Sequence, residues 1–330
     1  MKAEFNDINR FISVISICKL LNSLKLRISF YLSIITKKTI LWGKPESISI
    51  EPTNICNLSC SECPTGTNSL TRKKGDIDLK LFKQIIDDGK KYLYNIILYF
   101  QGEPFISKDI YEQIRYAKDN KLYTITSTNA HYLNKKNCDK IINSGLDRLL
   151  ISLDGTNQET YEKYRIGGDF SKVINGIKTL IETKAELNSN APYTILQFLV
   201  FKHNQHQIDE IKQLGKELGV DRVEIKTAQI INNYEINTSI DKFSRYKNKK
   251  LEPKRKLPNH CKRMWNSVVI TIDGNISPCC FDKDSTYNYG NYSDISFKDI
   301  RKHKNYIAFS KKIFASRKSI DICTNCSEGL

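Results

Sequence analysis

From residue 45 to about 230, short apolar runs alternate with segments whose apolar residues recur every three or four positions. The runs are typical of β-strands and the segments between them of helices, because helical side chains return to one face about every 3.6 residues. The predicted strands are 47–52, 95–101, 123–128, 148–154, 193–201 and 222–227. The predicted helices lie near 78–91, 107–119, 135–144, 157–164, 171–187 and 206–218.

Strands that alternate with helices indicate βαβ crossovers and a parallel sheet. The run "IILYF" within 95–101 has no polar alternation, as expected for a strand buried on both faces. We therefore predict an α/β fold, a partial (β/α)6 TIM-like barrel spanning residues 45–232.

The pattern changes after a polar and basic connector, residues 233–257. The stretch "SVVITIDGNISPCC" predicts a strand, an Asp-Gly turn and a second strand, because Asp-Gly favours a tight hairpin. A cysteine pair follows in "ICTNCSEGL". Residues 258–330 are thus predicted to form a small hairpin and helix domain held together by metal rather than by a large core.

Residues 1–44 are apolar and basic. Lys19, Lys25, Arg27 and Lys37 interrupt them too often for a transmembrane helix, which needs roughly 20 mostly apolar residues. A convincing signal-peptide cleavage site is also missing. Two interpretations stay open: an amphipathic helix on a membrane surface, or a helix docked on the body of the protein. We expect a cytoplasmic location with possible membrane association.

The chain has 52 Lys and Arg against 36 Asp and Glu, a formal charge of +16. This excess favours an anionic partner, such as a phosphorylated or acidic substrate, an acidic peptide or a membrane surface. Lysines spread over all surfaces would give the same total. A basic stripe interleaved with aromatic residues is absent, so nucleic acid is not an expected partner.

Eight of the ten cysteines lie in three groups, and the other two, Cys18 and Cys138, stand alone in apolar helical patterns. Such groups in a chain without a secretory signal are typical of metal ligands rather than disulfides. We predict that Cys18 and Cys138 are buried packing residues. The three groups are Cys56, Cys60 and Cys63; Cys261 with Cys279 and Cys280; and Cys323 with Cys326.

Polar and metal-binding side chains follow the first four predicted strands. The carboxyl ends of barrel strands form the active face in such folds, so these residues are expected to converge. In strand order they are Cys56 to Cys63; Gly102 and Glu103; Ser127 to Asn129; and Ser152 with Asp154.

Four thiolates would complete a zinc site, and two could form a redox pair. Three thiolates are one ligand short of a complete four-ligand metal site. The motif "CNLSCSEC" (56–63) resembles the signature of the radical S-adenosylmethionine (SAM) superfamily. The resemblance implies that Cys56, Cys60 and Cys63 hold three irons of a [4Fe-4S] cluster and that SAM binds the fourth. It also implies a reductant such as flavodoxin or ferredoxin, cleavage of SAM to a 5′-deoxyadenosyl radical, and removal of a substrate hydrogen atom.

The resemblance also assigns SAM contacts. "QGEP" (101–104) matches the Gly-Gly-Glu motif of the superfamily with Gln101 in place of the first glycine, and it implies that Glu103 accepts hydrogen bonds from the SAM ammonium group. Ser127 or Asn129 would meet the SAM carboxylate or ribose.

Ser152, Asp154 and Arg165 resemble further ribose and carboxylate contacts, with Ser152 as the ribose partner. The planar guanidinium of Arg165 suits a carboxylate. Asp154 could instead cap the next helix, and Arg165 could pair with a surface acid.

Cys261, the Gly274–Cys279 phrase and Cys323-x2-Cys326 resemble the SPASM/Twitch type of C-terminal extension in the same superfamily. This implies that Cys261, Cys279, Cys323 and Cys326 ligate one auxiliary [4Fe-4S] cluster, and the Gly-x4-Cys spacing favours Cys279 over Cys280. A four-cysteine zinc site is the alternative. Because further cysteines do not follow before Leu330, we do not expect a second auxiliary cluster.

The predicted function is that of a radical SAM oxidoreductase that oxidises or cross-links a peptide, protein or small molecule, with the auxiliary cluster as electron acceptor. One alternative is an alcohol dehydrogenase of the same superfamily acting on a sugar or aminoglycoside-like compound. Another is an iron–sulfur electron-transfer or scaffold protein that does not cleave SAM. Asp282, near the auxiliary ligands, is a candidate proton acceptor for the substrate radical.

Overall fold

A computed structural model describes residues 2–247, 249 and 251–329. The strands are β1 (Ser47–Ile50), β2 (Asn95–Ile97), β3 (Tyr123–Thr128), β4 (Arg148–Ser152), β5 (Tyr193–Val200), β6 (Arg222–Thr227), β7 (Ser267–Ile270) and β8 (Ile276–Ser277). The helices are α1 (Lys2–Ile12), α2 (Ile17–Thr36), α3 (Leu79–Gly89), α4 (Ile110–Asp119), α5 (Lys135–Asn143), α6 (Gln158–Glu162), α7 (Phe170–Glu186), α8 (Ile208–Glu217), α9 (Lys262–Asn266), α10 (Lys304–Ser316) and α11 (Asp321–Thr324).

The first six strands form a parallel sheet in the order of the sequence, from β1 to β6. This confirms the predicted α/β fold and the six predicted strands. Side chains of four helix-starting residues fix where the helices begin by accepting a backbone N–H in the first turn, which satisfies a donor that has no partner within the helix. These N-cap residues are Asp78 of α3, Asn134 of α5, Asn157 of α6 and Asp169 of α7.

The predicted hairpin at 267–280 forms, but it belongs to the same sheet. β7 pairs in parallel with β1, and β8 pairs antiparallel with β7 at the sheet edge. A partial barrel leaves the backbone groups of β1 without a partner on one side, and β7 satisfies them. The C-terminal segment is therefore attached directly to the strand that precedes Cys56.

The two N-terminal helices dock on the protein body. Phe30 of α2 packs against Trp265 of α9, with ring centroids 5.7 Å apart, and the Trp265 indole donates to Ser29 Oγ at 3.2 Å. In the described part of the chain, no helix has the length and apolar character needed to cross a membrane. Cys138 is buried, as predicted, whereas the prediction for Cys18 is wrong because its side chain is exposed on α2.

Candidate active site

Cys56, Cys60 and Cys63 line a cavity of about 150 Å³ at the carboxyl ends of β1 to β4. Each thiol is approached by a polar side chain from a different segment: Gln101 follows β2, Asn129 follows β3, and Arg165 lies between α6 and α7. Asn129 Nδ2 lies 3.9 Å from Cys56 Sγ, Arg165 Nη1 lies 3.9 Å from Cys60 Sγ, and Gln101 Oε1 lies 3.8 Å from Cys63 Sγ. The predicted SAM contacts that share this cavity are Gly102, Glu103, Ser127, Asn129, Ser152 and Arg165.

Glu103 is the acid of this cavity, and its buried carboxylate is held in a fixed orientation. Its Oε2 accepts the backbone N–H of Asn129 at 2.7 Å, and its Oε1 accepts the Thr128 hydroxyl at 2.8 Å. Burial raises the pKa of Glu103 to about 7, since desolvation outweighs these hydrogen bonds. A cationic ligand beside this carboxylate would restore its ionised form.

Gly102 has a left-handed backbone with φ of 76°. A Cβ at this position would lie 2.6 Å from Thr53 O and 2.8 Å from Ile55 O. Only glycine allows the β2 loop to approach the loop of the three cysteines this closely. Gln101, which stands where the superfamily has another glycine, accepts a hydrogen bond from Thr65 Oγ1 at 3.1 Å.

Asp154 does not line the cavity, and it positions Arg165 instead. Its Oδ2 pairs with the Arg165 guanidinium at 2.6 Å, and its Oδ1 accepts the backbone N–H of Leu199 at 2.7 Å. The following helix, α6, is capped by Asn157. Asp154 is therefore fully engaged behind the site, while Arg165 reaches the cavity and Cys60.

The donor set fits an iron–sulfur cluster with a free corner. Burial raises the pKa of Cys56 to about 11 and also raises that of Cys60, so burial favours the protonated thiol at these two positions. A thiol must lose its proton to bind iron as a thiolate, so cluster assembly is coupled to proton release. Three thiolates beside a polar cavity leave room for a ligand at the fourth metal.

The auxiliary cysteines form a second, more enclosed group. Cys261, Cys323 and Cys326 are buried. Burial raises the pKa of Cys279, and the neighbouring Cys280, Cys261 and Cys326 raise it further. Cys280 instead contacts the Arg263 guanidinium at 2.8 Å.

Arg317 covers this second group. Its buried guanidinium lies 3.4 Å from Cys326 Sγ and donates to Glu328 O at 2.6 Å and His260 O at 2.9 Å. A cation beside a cluster of thiolates offsets their negative charge. Four cysteines could fill every corner of a four-iron cluster, whereas the three cysteines of the first group could not.

Asp282 lies near the second group but lines neither of the two cavities described here. Its buried carboxylate accepts the backbone N–H groups of Thr286 and Tyr287 at 2.8 and 2.9 Å. The contacts of Asp282 thus stabilise the turn that follows Cys279 and Cys280.

A larger cavity, of about 970 Å³, lies between the two cysteine groups. It shares Tyr99 and Phe100 with the smaller cavity and is lined at another side by Cys279 and Cys280. Apolar side chains of β2, β7, α1, α2 and the adjoining loops supply the larger part of its lining surface. Uncharged polar side chains also line it: Ser23, Ser47, Ser49, Asn95, Asn266 and Ser267. Its charged lining residues are Arg27, Glu46, Arg263 and Lys283.

Sequence reasoning missed the residues that join the two halves of the site. Glu51 forms a buried, two-point ion pair with Arg72 at 2.7 and 2.8 Å, and Arg72 Nε donates to Lys283 O at 2.9 Å. Glu62, between Cys60 and Cys63, accepts backbone N–H groups from the loop after β6. Glu62 does fall inside the cysteine motif, but nothing in the sequence indicates its partner.

Family models match most of the chain. The model of the Radical SAM superfamily matches residues 50–215, and the SPASM iron–sulfur cluster-binding domain matches residues 261–327. The chain therefore belongs to the radical SAM superfamily and carries a SPASM domain. This confirms the predicted family and the predicted cofactors, which are SAM, a [4Fe-4S] cluster and auxiliary iron–sulfur ligation.

Two curated relatives illustrate the range of similar proteins. The AdoMet-dependent heme synthase of Methanosarcina barkeri is 32% identical over 176 residues, 53% of this chain and 48% of that protein. The chain thus matches about half the length of that relative. The tungsten-containing aldehyde ferredoxin oxidoreductase cofactor-modifying protein of Pyrococcus furiosus is 26% identical over 314 residues, 84% of this chain and 86% of that protein.

A solved structure shares the fold. Streptococcus suis SuiB bound to S-adenosylmethionine superposes with a TM-score of 0.64 at 16% identity, over 84% of this chain and 70% of SuiB. This likeness confirms the predicted partial barrel.

Proposed function

We propose that this protein cleaves SAM reductively and uses the resulting radical to oxidise a small molecule held between the two cysteine groups. This molecule would be mainly apolar and would carry an anionic group. The observation that carries the proposal is the position of the 970 Å³ cavity, which shares Tyr99 and Phe100 with the SAM-side cavity and meets Cys279 at another side. A substrate in this cavity would lie next to both the SAM pocket and the auxiliary cysteines.

Cys56, Cys60 and Cys63 would hold the first cluster, and Cys261, Cys279, Cys323 and Cys326 one auxiliary cluster. The first cluster, when reduced by a donor such as flavodoxin or ferredoxin, supplies the electron that converts SAM to methionine and a 5′-deoxyadenosyl radical. Glu103 would bind the SAM ammonium group, and Arg165, held by Asp154, would bind an anionic or hydroxyl group of SAM. Ser127, Asn129 and Ser152 supply the remaining polar contacts.

Aromatic side chains lie where the two cavities meet. Tyr99 is partly buried and Phe100 is buried, and both line the SAM-side cavity and the larger cavity. A primary carbon radical reacts with whatever it contacts, so exclusion of water and of other groups is part of the catalytic requirement.

The cavity walls support the substrate class. A volume of 970 Å³ lies near the upper end of the ~300–1,000 Å³ that small-molecule sites occupy. Apolar walls with Arg27, Arg263 and Lys283 against the single acid Glu46 favour a mainly apolar substrate with an anionic group. The names of the heme synthase and cofactor-modifying relatives are in keeping with a cofactor-sized substrate.

The enclosed auxiliary site supports an oxidation. With four cysteine ligands the auxiliary cluster has no corner for substrate, and its proposed task is to accept the electron of the substrate radical. Asp282 remains a candidate proton acceptor only if the turn it stabilises opens, since its carboxylate is occupied by Thr286 and Tyr287.

The test is anaerobic. The protein is reconstituted with iron and sulfide, reduced with dithionite and mixed with SAM, and 5′-deoxyadenosine is measured by chromatography together with iron. We expect deoxyadenosine and about eight irons per chain if two four-iron clusters are filled. The Cys56/Cys60/Cys63→Ala variant should keep about four irons and form no deoxyadenosine, whereas Cys18→Ala, which removes an exposed thiol, should behave as wild type. Full iron loading without deoxyadenosine would favour an electron-transfer or scaffold protein.

A further inference from the structure

Five polar side chains of helix α2 lie against the protein body. Lys19, Asn22, Ser23, Ser29 and Ser33 are all buried. The Lys19 ammonium donates to Val14 O at 2.8 Å and Lys121 O at 2.9 Å, and Asn22 bonds both backbone groups of Lys44. These hydrogen bonds specify which face of α2 points inward.

The opposite face is apolar and exposed, and we call it the α1–α2 surface. Ile17 and Ile35 are each 76% exposed. Elsewhere in the described part of the chain the exposed large apolar residues are only Ile55, Ile166, Leu187 and Ile231, so exposure is concentrated here. The surface consists of Phe5, Ile8, Phe11, Ile12, Ile15, Ile17, Leu20, Leu21, Leu24, Ile28, Tyr31 and Ile35, with Trp42 beyond α2.

An apolar surface of this extent marks an interaction site, because monomeric soluble proteins rarely expose more than a few hundred Å² of contiguous apolar area. The charge around it indicates the partner. Residues 8–45 contain no Asp or Glu but seven Lys and Arg, of which Lys25, Arg27, Lys37 and Lys38 are exposed. A second copy would bring these like charges together, whereas an anionic lipid surface is complementary to them.

We propose that the α1–α2 surface docks on a membrane that contains anionic lipids, with both helices lying in the plane of the interface. The apolar residues would enter the boundary between headgroups and acyl chains, and the flanking cations would meet the headgroups. Tyr31 and Trp42 have the amphipathic rings that are enriched at this depth.

The reaction cavity opens within this surface. Phe11, Ile15, Leu20 and Leu24 are exposed members of the α1–α2 surface and also line the 970 Å³ cavity. If the proposed function holds, the docked enzyme takes its substrate from the bilayer, and the substrate is an amphiphile whose anionic group meets the cations of the cavity.

The docking test uses the full chain and needs no substrate. Flotation with vesicles of phosphatidylcholine alone is compared with vesicles that also contain phosphatidylglycerol. We expect binding to the anionic vesicles to be at least roughly tenfold stronger and to weaken with added salt. Failure to bind anionic vesicles would overturn the proposal.

Two matched pairs of variants locate the contact. Leu21→Glu places a charge on the surface away from the cavity lining and should reduce vesicle binding at least roughly tenfold, whereas Leu187→Glu, at a comparably exposed leucine, should not. Lys37→Gln with Lys38→Gln should weaken binding to anionic vesicles, and Lys311→Gln with Lys312→Gln should weaken it less. If both variants of either pair lost vesicle binding equally, the contact could not be assigned to the α1–α2 surface.

Two further measurements separate the remaining outcomes. A lipid-free dimer of the wild type that Leu21→Glu dissociates would show that a second copy covers the surface and would overturn the proposal. SAM cleavage by Leu21→Glu should equal that of wild type, because this side chain does not line either cavity. Vesicle binding therefore tests docking, and deoxyadenosine formation tests the proposed function. The failure of one proposal can thus be told from the failure of the other.

Discussion

The two cysteine groups use the same ligand atom in different surroundings. Cys56, Cys60 and Cys63 lie on a loop at the strand ends and share a cavity with Glu103 and Arg165. The auxiliary cysteines come from widely separated parts of the C-terminal segment, three of them are buried, and Arg317 covers them. The first arrangement leaves a cavity beside its thiols, and the second encloses three of its four thiols and covers them with a cation.

The segments that carry the two cysteine groups are also in direct contact. Arg72 links Glu51, at the end of β1, to the backbone of Lys283, just beyond Cys279 and Cys280. Because β7 pairs with β1, the spacing between the groups is fixed by a strand pair and a buried ion pair rather than by a linker. The difference between the groups therefore lies in their immediate neighbours, and each can be altered separately.

The largest expected effect comes from Cys279→Ala compared with Cys280→Ala. Cys279 lies near Cys261 and Cys326, whereas Cys280 contacts the Arg263 guanidinium. We expect Cys279→Ala to lose the auxiliary cluster, about four irons, and to retain SAM cleavage, with Cys280→Ala keeping its iron. Iron analysis and electron paramagnetic resonance would measure this, and the reverse result would make Cys280 the ligand.

Glu103→Gln should alter the first group and leave the second intact. Because we propose that this buried carboxylate binds the SAM ammonium group, losing its charge should cost about 1.5–3 kcal/mol, or roughly 10–100-fold in SAM affinity. Equilibrium dialysis of the reconstituted protein with SAM would measure it, with Glu112→Gln as an exposed control. An unchanged affinity in Glu103→Gln would remove this contact from the SAM site.

SAM binding should depend on pH through the same carboxylate. Burial raises the pKa of Glu103 to about 7, and the cationic ammonium group in the proposed contact would bind the ionised form. SAM affinity should therefore fall as pH drops from 8 to 6, by less than about tenfold per pH unit. The Glu103→Gln variant should show a flatter profile, and identical profiles for both proteins would assign the dependence to another group.

Asp282→Asn should have the smallest effect and act on the surroundings of the auxiliary group. Weakening the two backbone hydrogen bonds should reduce the free energy of unfolding by about 1–3 kcal/mol. Thermal unfolding of the reconstituted variant would measure it, and iron content should stay unchanged. Loss of substrate-derived product without a change in unfolding would instead favour the proton-acceptor role.

Sequence reasoning succeeded where chemistry is local. Buried parallel strands need continuous apolar runs, so all six strands were predictable, and the glycine of "QGEP" is required by a close backbone approach. It failed for Cys18, because α2 is apolar on its outer face and the usual inference from apolar periodicity to burial does not hold there. The contacts of Glu51 with Arg72 and of Arg317 with Cys326 were not predictable either, since the partners are 21 and 9 residues apart and no helical or strand periodicity relates them.

The amino-acid sequence by itself determined the element order, the family and the ligand types, because strand periodicity and cysteine spacing are properties of neighbouring residues. Tertiary structure alone decided that β7 joins β1, that Asp154 supports Arg165 from behind the cavity, and that the cavity opens at the outward apolar face of α2. These features depend on distances between residues that are not neighbours in the chain. Such distances are set only when the strands assemble into the sheet and the helices dock on it.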